Sequence, residues 1–263
     1  MTLLEVAPWT LGAAAALMAV LWLLSLKLRN ASIIDAFWGP VFALILGVVA
    51  WRAGFGHWRA FLLAGMVGAW ALRLGIHLGR RQFGHPEDAR YAAFRRADGP
   101  TFWWRSFFKV FMLQAVLAWG LSLPLQAACV AIGPAAVTPW DAMGVLAWGL
   151  GLVLETIADS QLTRFRTRRG STEEILDQGL WRYSRHPNYF GESLLWWGFG
   201  GVAAAATSAW WVWLAPAGMT YLLLRVSGVT LLEEGLIARK PAYGDYVART
   251  SAFVPWPPRR SGT

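Results

Sequence analysis

Long apolar stretches alternate with short polar connecting segments along most of this chain. An α-helix needs about 20 residues to cross about 30 Å of hydrocarbon. Seven apolar runs approach or exceed that length, at residues 8–27, 33–52, 59–79, 107–132, 139–162, 187–206 and 208–230. Strand-like alternation of polar and apolar positions is absent from the sequence. The pattern predicts an all-α polytopic membrane protein, a bundle of about seven transmembrane helices.

Composition supports the same fold class. Of the 263 residues, 56% are hydrophobic and 15% are charged. In an ordinary soluble domain, about 45–50% of the residues are apolar and about 25% are charged. The 18 tryptophans suit a protein with two membrane–water interfaces. The single cysteine, Cys129, excludes a disulfide framework, and the four histidines lack metal-ligand spacing, so we predict no metal site.

The basic residues are concentrated on alternate connecting segments. The formal net charge is +9, and nineteen of the 24 lysines and arginines lie on the first, third and fifth connections or on the C-terminal tail. The positive-inside rule then predicts an external N-terminus and a cytoplasmic C-terminus. This placement argues against a nucleic-acid partner, and no obligate protein partner is evident. Topology explains the first connection fully, but the third and fifth carry more basic residues than orientation requires.

Several ionisable side chains interrupt the apolar runs. Each costs about 2.5–3.5 kcal/mol at membrane depth and usually faces a bundle interior or a site. They are Asp35 in the second run, Arg73 and His77 one turn apart in the third, Glu155 and Asp159 one turn apart in the fifth, and Glu192 in the sixth. The alternative for each is an interfacial residue or a satisfied interhelical pair.

The fifth connecting segment has the chemistry of a dinucleotide site. Its arginines, among them Arg164, Arg166 and Arg185, offer forked donors that suit phosphate. The flanking carboxylates can accept hydrogen bonds from ribose hydroxyls or a carboxamide. The sequence has no Gly-x-Gly-x-x-Gly after a strand, so a nucleotide would be held by helices and cytoplasmic loops rather than by a Rossmann fold or a P-loop.

The segment 179–192, GLWRYSRHPNYFGE, resembles the signature of the steroid 5-alpha-reductase superfamily. It is most similar to the bacterial branch of uncharacterised membrane proteins, which this chain also resembles at residues 32–40, 73–77, 87–91, 226–228 and 243–255. The resemblance to characterised steroid reductases begins at about residue 155. A bacterial inner membrane is the location that this resemblance implies.

The resemblance implies an NADPH-dependent reductase of a C=C bond conjugated to a carbonyl in a lipid, which could be steroid-like, isoprenoid or acyl. It assigns Asp159, Arg166 and Asn188 to NADPH, and Glu192 matches the glutamate of the motif. The expected cofactor-binding residues are Glu155, Asp159, Arg164, Arg166, Arg185, His186, Asn188, Tyr189, Glu192 and Tyr246. The chain is expected to form one membrane domain, with residues 1–132 on the substrate side and 139–256 on the cofactor side.

Two alternatives stay open. Residues 185–191 also fit the Arg-His-Pro-x-Tyr-x-Gly motif of isoprenylcysteine-type methyltransferases, which bind S-adenosylmethionine, and Leu231–Glu234 with the tyrosines after it resembles those enzymes more closely. Such an enzyme would methylate a lipid or a lipidated substrate. The second alternative is a non-enzymatic lipid-binding membrane protein.

The substrate side departs from the steroid reductases. Those enzymes polarise a ketone with a Glu–Tyr pair, whereas the first four apolar runs here contain no glutamate. Asp35, His77 and Tyr91 are the candidates to stabilise a developing enolate oxygen, a contact that contributes about 2.7–4 kcal/mol in oxyanion holes. The predicted substrate-binding residues are Phe37, Trp38 and Arg73.

Overall fold

The computed structural model describes residues 1–171, 173–226, 229, 233, 236, 240 and 243–259. These residues are mostly helical, and no strand occurs among them. The α-helices are α1 (Leu3–Leu28), α2 (Trp38–Ala53), α3 (Trp58–Gln82), α4 (Ala89–Asp98), α5 (Phe102–Ser106), α6 (Leu113–Val130), α7 (Pro139–Arg168), α8 (Pro187–Thr207), α9 (Leu214–Tyr221) and α10 (Tyr243–Arg249). This architecture confirms the predicted all-α class.

Five helical segments within the described residues are long and apolar enough to cross a membrane. They are Leu3–Leu28, Ala31–Ala53, Trp58–Gln82, Ala89–Val130 and Pro139–Arg168. The first five predicted runs fall within or largely within them. Helix α8 corresponds to the sixth run, and it carries the polar residues Asn188 and Glu192 near its start. The chain is therefore a polytopic membrane protein.

The seventh predicted run, 208–230, is not one regular helix where it is described. It begins with a 3₁₀-helix at Trp210–Trp213, continues as α9 and then becomes a π-helix at Leu222–Val226. In the fourth run, α6 continues through Pro124. The irregularity of this run lies earlier, in a π-helix at Phe107–Met112.

Local capping explains where the main helices begin. Glu5 accepts a hydrogen bond from the backbone N–H of Thr2 (2.7 Å) at the start of α1. At α7, Asp141 Oδ2 accepts from the backbone N–H of Thr138 (2.8 Å), and Pro139 occupies the first helical position, where no N–H is needed. These contacts satisfy backbone donors that a helix start would otherwise leave without partners.

The described chain divides into two compact units. Unit 1 contains Met1–Val137 and Val202–Ala215, and unit 2 contains Thr138–Gly201 and Pro216–Thr263. The first boundary lies between the two predicted halves, 1–132 and 139–256. The short segment 202–215, however, groups with unit 1.

In unit 1, helix α2 packs against α1, α3 and α6. Small residues bring α2 close to α3, because a methyl group added at Gly39 would lie 2.8 Å from the Cα of Ala71. An added methyl at Gly75 would lie 3.2 Å from the carbonyl oxygen of Ala36. Close backbone approach at small residues is the usual basis of helix packing in membranes.

In unit 2, glycines bring the backbones of α7 and α8 into direct contact. A methyl group added at Gly191 would lie 2.6 Å from the backbone nitrogen of Glu155, and one added at Gly198 would lie 2.5 Å from that of Trp148. One added at Gly151 would lie 2.5 Å from the carbonyl oxygen of Gly191. This contact places the polar residues of α7 beside those at the start of α8.

Candidate functional site

Unit 1 contains a polar cluster centred on Asp35, which lies in the 3₁₀-helix Ala31–Phe37. The hydroxyl of Tyr91 donates to Asp35 Oδ1 (2.6 Å). Asp35 Oδ2 accepts from Arg90 Nη2 (2.9 Å) and Gln82 Nε2 (3.1 Å). The structure therefore brings together two of the three predicted catalytic candidates, Asp35 and Tyr91, and uses both carboxylate oxygens.

Neighbouring bonds fix the segment that carries Tyr91. Gln114 Nε2 donates to the Tyr91 hydroxyl (3.4 Å). The connection before α4 is anchored where the backbone N–H of Asp88 donates to Ser32 Oγ (2.7 Å), and where Glu87 accepts from the backbone N–H of Ala31 (2.7 Å). These contacts hold α4 against the 3₁₀-helix that carries Asp35.

Glu87 is itself paired with an arginine. Arg95 donates twice to its carboxylate, with both distances 2.8 Å. Burial acts to raise the pKa of Glu87, but the bonds from Arg95 and Ala31 outweigh it, so the pKa lies below its ordinary value. Glu87 thus stays ionised as an anchor for α4.

The other substrate-side candidates lie on the 3₁₀-helix Ala31–Phe37 and on α2 and α3. Trp38 contacts Phe42 edge-to-face with ring centroids 5.6 Å apart, and Phe42 contacts Trp70 in the same way at 5.4 Å. Phe37, Arg73 and His77 are half-buried. Among the three catalytic candidates, the hydrogen bonds given above join Asp35 and Tyr91.

Unit 2 joins two of the residues that the resemblance assigns to NADPH. Asn188 Nδ2 donates to Asp159 Oδ1 (3.1 Å) across the α7–α8 contact. Because a carboxylate only accepts hydrogen bonds, the amide nitrogen of Asn188 must face Asp159. The amide oxygen of Asn188 therefore points away from Asp159, and the hydrogen bond to Asp159 fixes this orientation.

The amide oxygen of Asn188 is a buried acceptor that has no hydrogen-bond partner among the described residues. A buried polar group left in this state costs about 1–3 kcal/mol. Most buried polar atoms in proteins are satisfied, so an exception needs a physical explanation. A ligand that donates an N–H or O–H hydrogen bond to this oxygen would be such an explanation.

Two further carboxylates are buried near this pair. Glu155 is 4% exposed on α7, and Glu192 is 6% exposed on α8. Glu192 accepts a hydrogen bond from Trp196 Nε1 (3.1 Å), one turn later on the same helix. All four polar residues, Glu155, Asp159, Asn188 and Glu192, thus belong to the two helices that the glycine contacts bring together.

Arg185 is buried and bound by groups of unit 2. Its guanidinium donates to both carboxylate oxygens of Glu233, from Nε (2.6 Å) and from Nη2 (3.0 Å). Nη1 donates to the carbonyl oxygens of Val247 (3.0 Å) and Thr250 (2.5 Å). We call Arg185, Glu233 and these two carbonyls the arginine clamp, since they tie the start of α8 to the C-terminal segment.

The arginine clamp determines the ionisation of Glu233. Burial acts to raise its pKa, but bonds from His186 and Arg185 dominate and lower the pKa to about 2. His186 Nε2 lies 3.1 Å from Glu233 Oε1, and its ring stacks on Tyr189 with centroids 5.6 Å apart. His186 and Tyr189 are therefore adjacent to the clamp.

Tyr246, on α10, closes the same region from the C-terminal side. Its hydroxyl donates to the carbonyl oxygen of Trp181 and lies 3.4 Å from that of Ser184. Burial is the main cause of the raised pKa of Tyr246, so this hydroxyl is protonated and serves as a donor. The Ser184 hydroxyl in turn donates to the carbonyl oxygen of Phe253 (2.7 Å).

The predicted phosphate ligands occupy different environments. Arg164 and Arg166 are exposed near the C-terminal end of α7, where positive charge also suits the helix dipole. Arg185, by contrast, is only 8% exposed and is held in the arginine clamp. Arg164 and Arg166 are therefore accessible to a phosphate, whereas the guanidinium of Arg185 is already engaged.

Sequence reasoning missed three members of these clusters, namely Gln82, Arg90 and Glu233, as site residues. Gln82 ends α3 and Arg90 precedes Tyr91, yet both bond Asp35. A neutral amide such as Gln82 leaves no sequence signal. Glu233 belongs to the Leu-Leu-Glu-Glu segment that resembles methyltransferases, and this resemblance could have identified Glu233 as a site residue.

Comparison with known proteins shows the family to which this chain belongs. The model of a family described as "Protein of unknown function (DUF1295)" matches residues 21–250. The chain belongs to this family. The match includes every predicted site residue in both units. An uncharacterised protein of Schizosaccharomyces pombe is 25% identical over 270 residues, covering 90% of this chain and 76% of that protein.

Proposed function

We propose that this member of the DUF1295 family is a membrane-embedded, NADPH-dependent reductase of a C=C bond conjugated to a carbonyl in a lipid substrate. The supporting observation is the Asp159–Asn188 pair, whose amide oxygen is a buried acceptor with no partner among the described residues. A carboxamide N–H or a ribose hydroxyl of NADPH would satisfy this oxygen. The sequence resemblance of the Asn-Tyr-Phe-Gly-Glu segment supports the same assignment.

The residues of unit 2 fit the chemical groups of NADPH. Asn188 offers an oriented acceptor, and the nearby carboxylates can accept from hydroxyl groups. The exposed Arg164 and Arg166 can donate to phosphates, which guanidinium groups bind in a forked geometry. When bound, NADPH would supply a hydride to the β-carbon of the conjugated C=C bond.

The residues of unit 1 fit the requirement of the carbonyl end of such a substrate. As the β-carbon gains a hydride, negative charge develops on the carbonyl oxygen, and a nearby donor lowers the barrier. We assign this role to the Tyr91 hydroxyl, which donates to Asp35 Oδ1 (2.6 Å) without substrate and would turn its single proton to the carbonyl oxygen when substrate binds. Arg90 and Gln82 act as positioning residues for Asp35.

An S-adenosylmethionine-dependent methyltransferase is the second candidate. The observation that favours it is the arginine clamp, which uses the Arg185 guanidinium for Glu233 and two carbonyls rather than leaving it for phosphate. S-adenosylmethionine has no phosphate groups, so it does not require that arginine. Its hydroxyl and amine donors could also satisfy the amide oxygen of Asn188.

A thermal-shift measurement on the purified full chain distinguishes these functions. A ligand present at 100 times its Kd stabilises the folded state by about 2.7 kcal/mol, which corresponds to a rise of about 5 °C in Tm for a chain of this size. We expect NADPH to raise the Tm of the wild type and S-adenosylmethionine to leave it unchanged. Asn188→Ala should reduce the NADPH-dependent rise to about half, because a tenfold weaker Kd leaves about 1.4 kcal/mol of the stabilisation.

Thr156→Ala is the matched control, because Thr156 is an exposed polar residue of α7 whose hydroxyl bonds only within its own helix. This variant should keep the full shift with NADPH. A shift with S-adenosylmethionine alone would overturn the reductase in favour of the methyltransferase. No shift with either cofactor would favour the non-enzymatic lipid-binding protein.

A further inference from the structure

The helical segment Ala89–Val130 is too long for a single membrane crossing. It contains 42 residues, about twice the number that crosses the hydrocarbon core. Its first part is also broken, since Gly99 has a φ of 53° between α4 and the short helices that follow. Residues 113–130 of α6 suffice for most of a crossing, which leaves the preceding residues available to lie at the membrane–water interface.

These preceding residues expose large aromatic side chains. Phe94 is 50% exposed, Trp103 57%, Trp104 43% and Phe108 61%. Aromatic residues with this exposure are typical of the interfacial region, where apolar rings meet polar headgroups. We call residues 89–109 the interfacial segment.

The same segment and its approach are strongly basic. Residues 80–109 contain seven arginines and lysines against three acidic residues. Asp98 Oδ1 accepts from both Arg105 Nη1 (3.0 Å) and Lys109 Nζ (2.8 Å), so one carboxylate compensates two cations. Arg96 is exposed on α4, two residues before Asp98. An uncompensated positive charge therefore lies beside the exposed aromatic rings.

We propose that the interfacial segment lies in the plane of the membrane surface and binds the headgroups of anionic phospholipids, with Arg96, Arg105 and Lys109 as the phosphate contacts. Arg105 and Lys109 are 42% and 59% exposed, so both can reach a headgroup while they retain Asp98. Amphipathic helices that carry basic residues beside aromatic ones bind in this way. The occupant is the surrounding bilayer, because the basic surface is complementary to its anionic lipids.

Lipid binding to the purified full chain in detergent tests this proposal. Native mass spectrometry would compare the affinities for phosphatidylglycerol and phosphatidylcholine. Each basic residue near the surface contributes about 1 kcal/mol of attraction to anionic lipid, so the loss of two should weaken binding by about tenfold or more. We expect Arg96→Gln combined with Lys109→Gln to reduce phosphatidylglycerol affinity to that extent and to leave phosphatidylcholine binding unchanged.

Arg168→Gln combined with Arg169→Gln is the matched control, since it removes the same charge from exposed positions of unit 2. It should retain wild-type phosphatidylglycerol affinity. Asp98→Asn should increase that affinity severalfold, because it frees two cations. The proposal is overturned if the wild type shows no preference for phosphatidylglycerol over phosphatidylcholine. That result would fit a surface that binds an acidic protein instead of lipid. Equal loss in the test and control variants would also overturn it.

Discussion

The polar clusters of the two units differ in how completely their hydrogen bonds are satisfied. In unit 1, both oxygens of Asp35 accept bonds, and three side chains from the neighbouring helices converge on them. In unit 2, Asn188 bonds Asp159 through its nitrogen, while its buried oxygen has no partner among the described residues. The Asp35 cluster of unit 1 is therefore fully hydrogen-bonded, whereas the Asp159–Asn188 pair of unit 2 has one acceptor that a ligand could use.

This difference separates a cluster whose members are satisfied and oriented without a ligand from one that keeps an acceptor free for a ligand. A complete network stabilises its helices and orients its members. A network with an unsatisfied group lowers the stability of the free protein, and a bound donor can restore that stability. Functional sites are commonly destabilising in this way. Stability measurements on the free protein should therefore respond strongly to changes in complete clusters and weakly to a change at Asn188.

The largest loss of stability is expected from breaking the arginine clamp. Arg185→Gln would leave Glu233 and two backbone carbonyls without their donor, and removal of one partner from a buried ion pair costs about 3–5 kcal/mol. Denaturant unfolding of the detergent-solubilised protein measures this loss. Arg182→Gln is the control, since Arg182 is exposed and should change stability little. Equal stability of the two variants would show that the clamp is not structural.

The clamp also predicts a pH dependence. The pKa of Glu233 is lowered from 4.5 to about 2 in the folded protein, so its ionised form is favoured by folding. The stabilisation is fully present above pH 4.5 and declines as the pH falls from 4.5 toward 2. The difference in unfolding free energy between the wild type and Glu233→Gln should shrink over this range. A difference that does not vary with pH would contradict the assignment.

A smaller loss is expected from Asp35→Asn in unit 1. The substitution weakens a bond to Arg90 and places an amide among donors, and a buried polar group left unsatisfied costs about 1–3 kcal/mol. Asp245→Asn provides the control, because Asp245 is exposed on α10. The free energy of unfolding should fall for the first variant alone. No loss in Asp35→Asn would mean that the unit 1 cluster is not the complete network described above.

The sequence predicted the helices well wherever apolar runs were long and unbroken. The runs 33–52 and 139–162 correspond to α2 and α7, and α7 continues to Arg168 because basic residues suit a helix C-terminus. The irregular elements escaped prediction. The π-helix at Phe107–Met112 lies within an uninterrupted apolar run, which gives no sign of the change in hydrogen bonding.

The site was predicted by residue type but not by pairing. Asp35 and Tyr91 were identified separately, and 56 residues separate them in the chain. Their contact depends on tertiary packing of α4, which no local spacing reveals. The partner of Arg185 was hidden for the same reason, since Glu233 lies 48 residues away. In contrast, Asp159 and Asn188 were grouped by the resemblance, and the structure joins them directly.

Direct binding of NADPH tests the central claim, that the amide oxygen of Asn188 is reserved for a cofactor donor. Equilibrium dialysis of NADPH against the wild type and Asn188→Ala would measure it without depending on stability or on the identity of the lipid substrate. We expect saturable binding at one site per wild-type chain, with a Kd raised about tenfold in the variant by the loss of one buried hydrogen bond. Equal affinity in both proteins, or no saturable binding to the wild type, would contradict the claim.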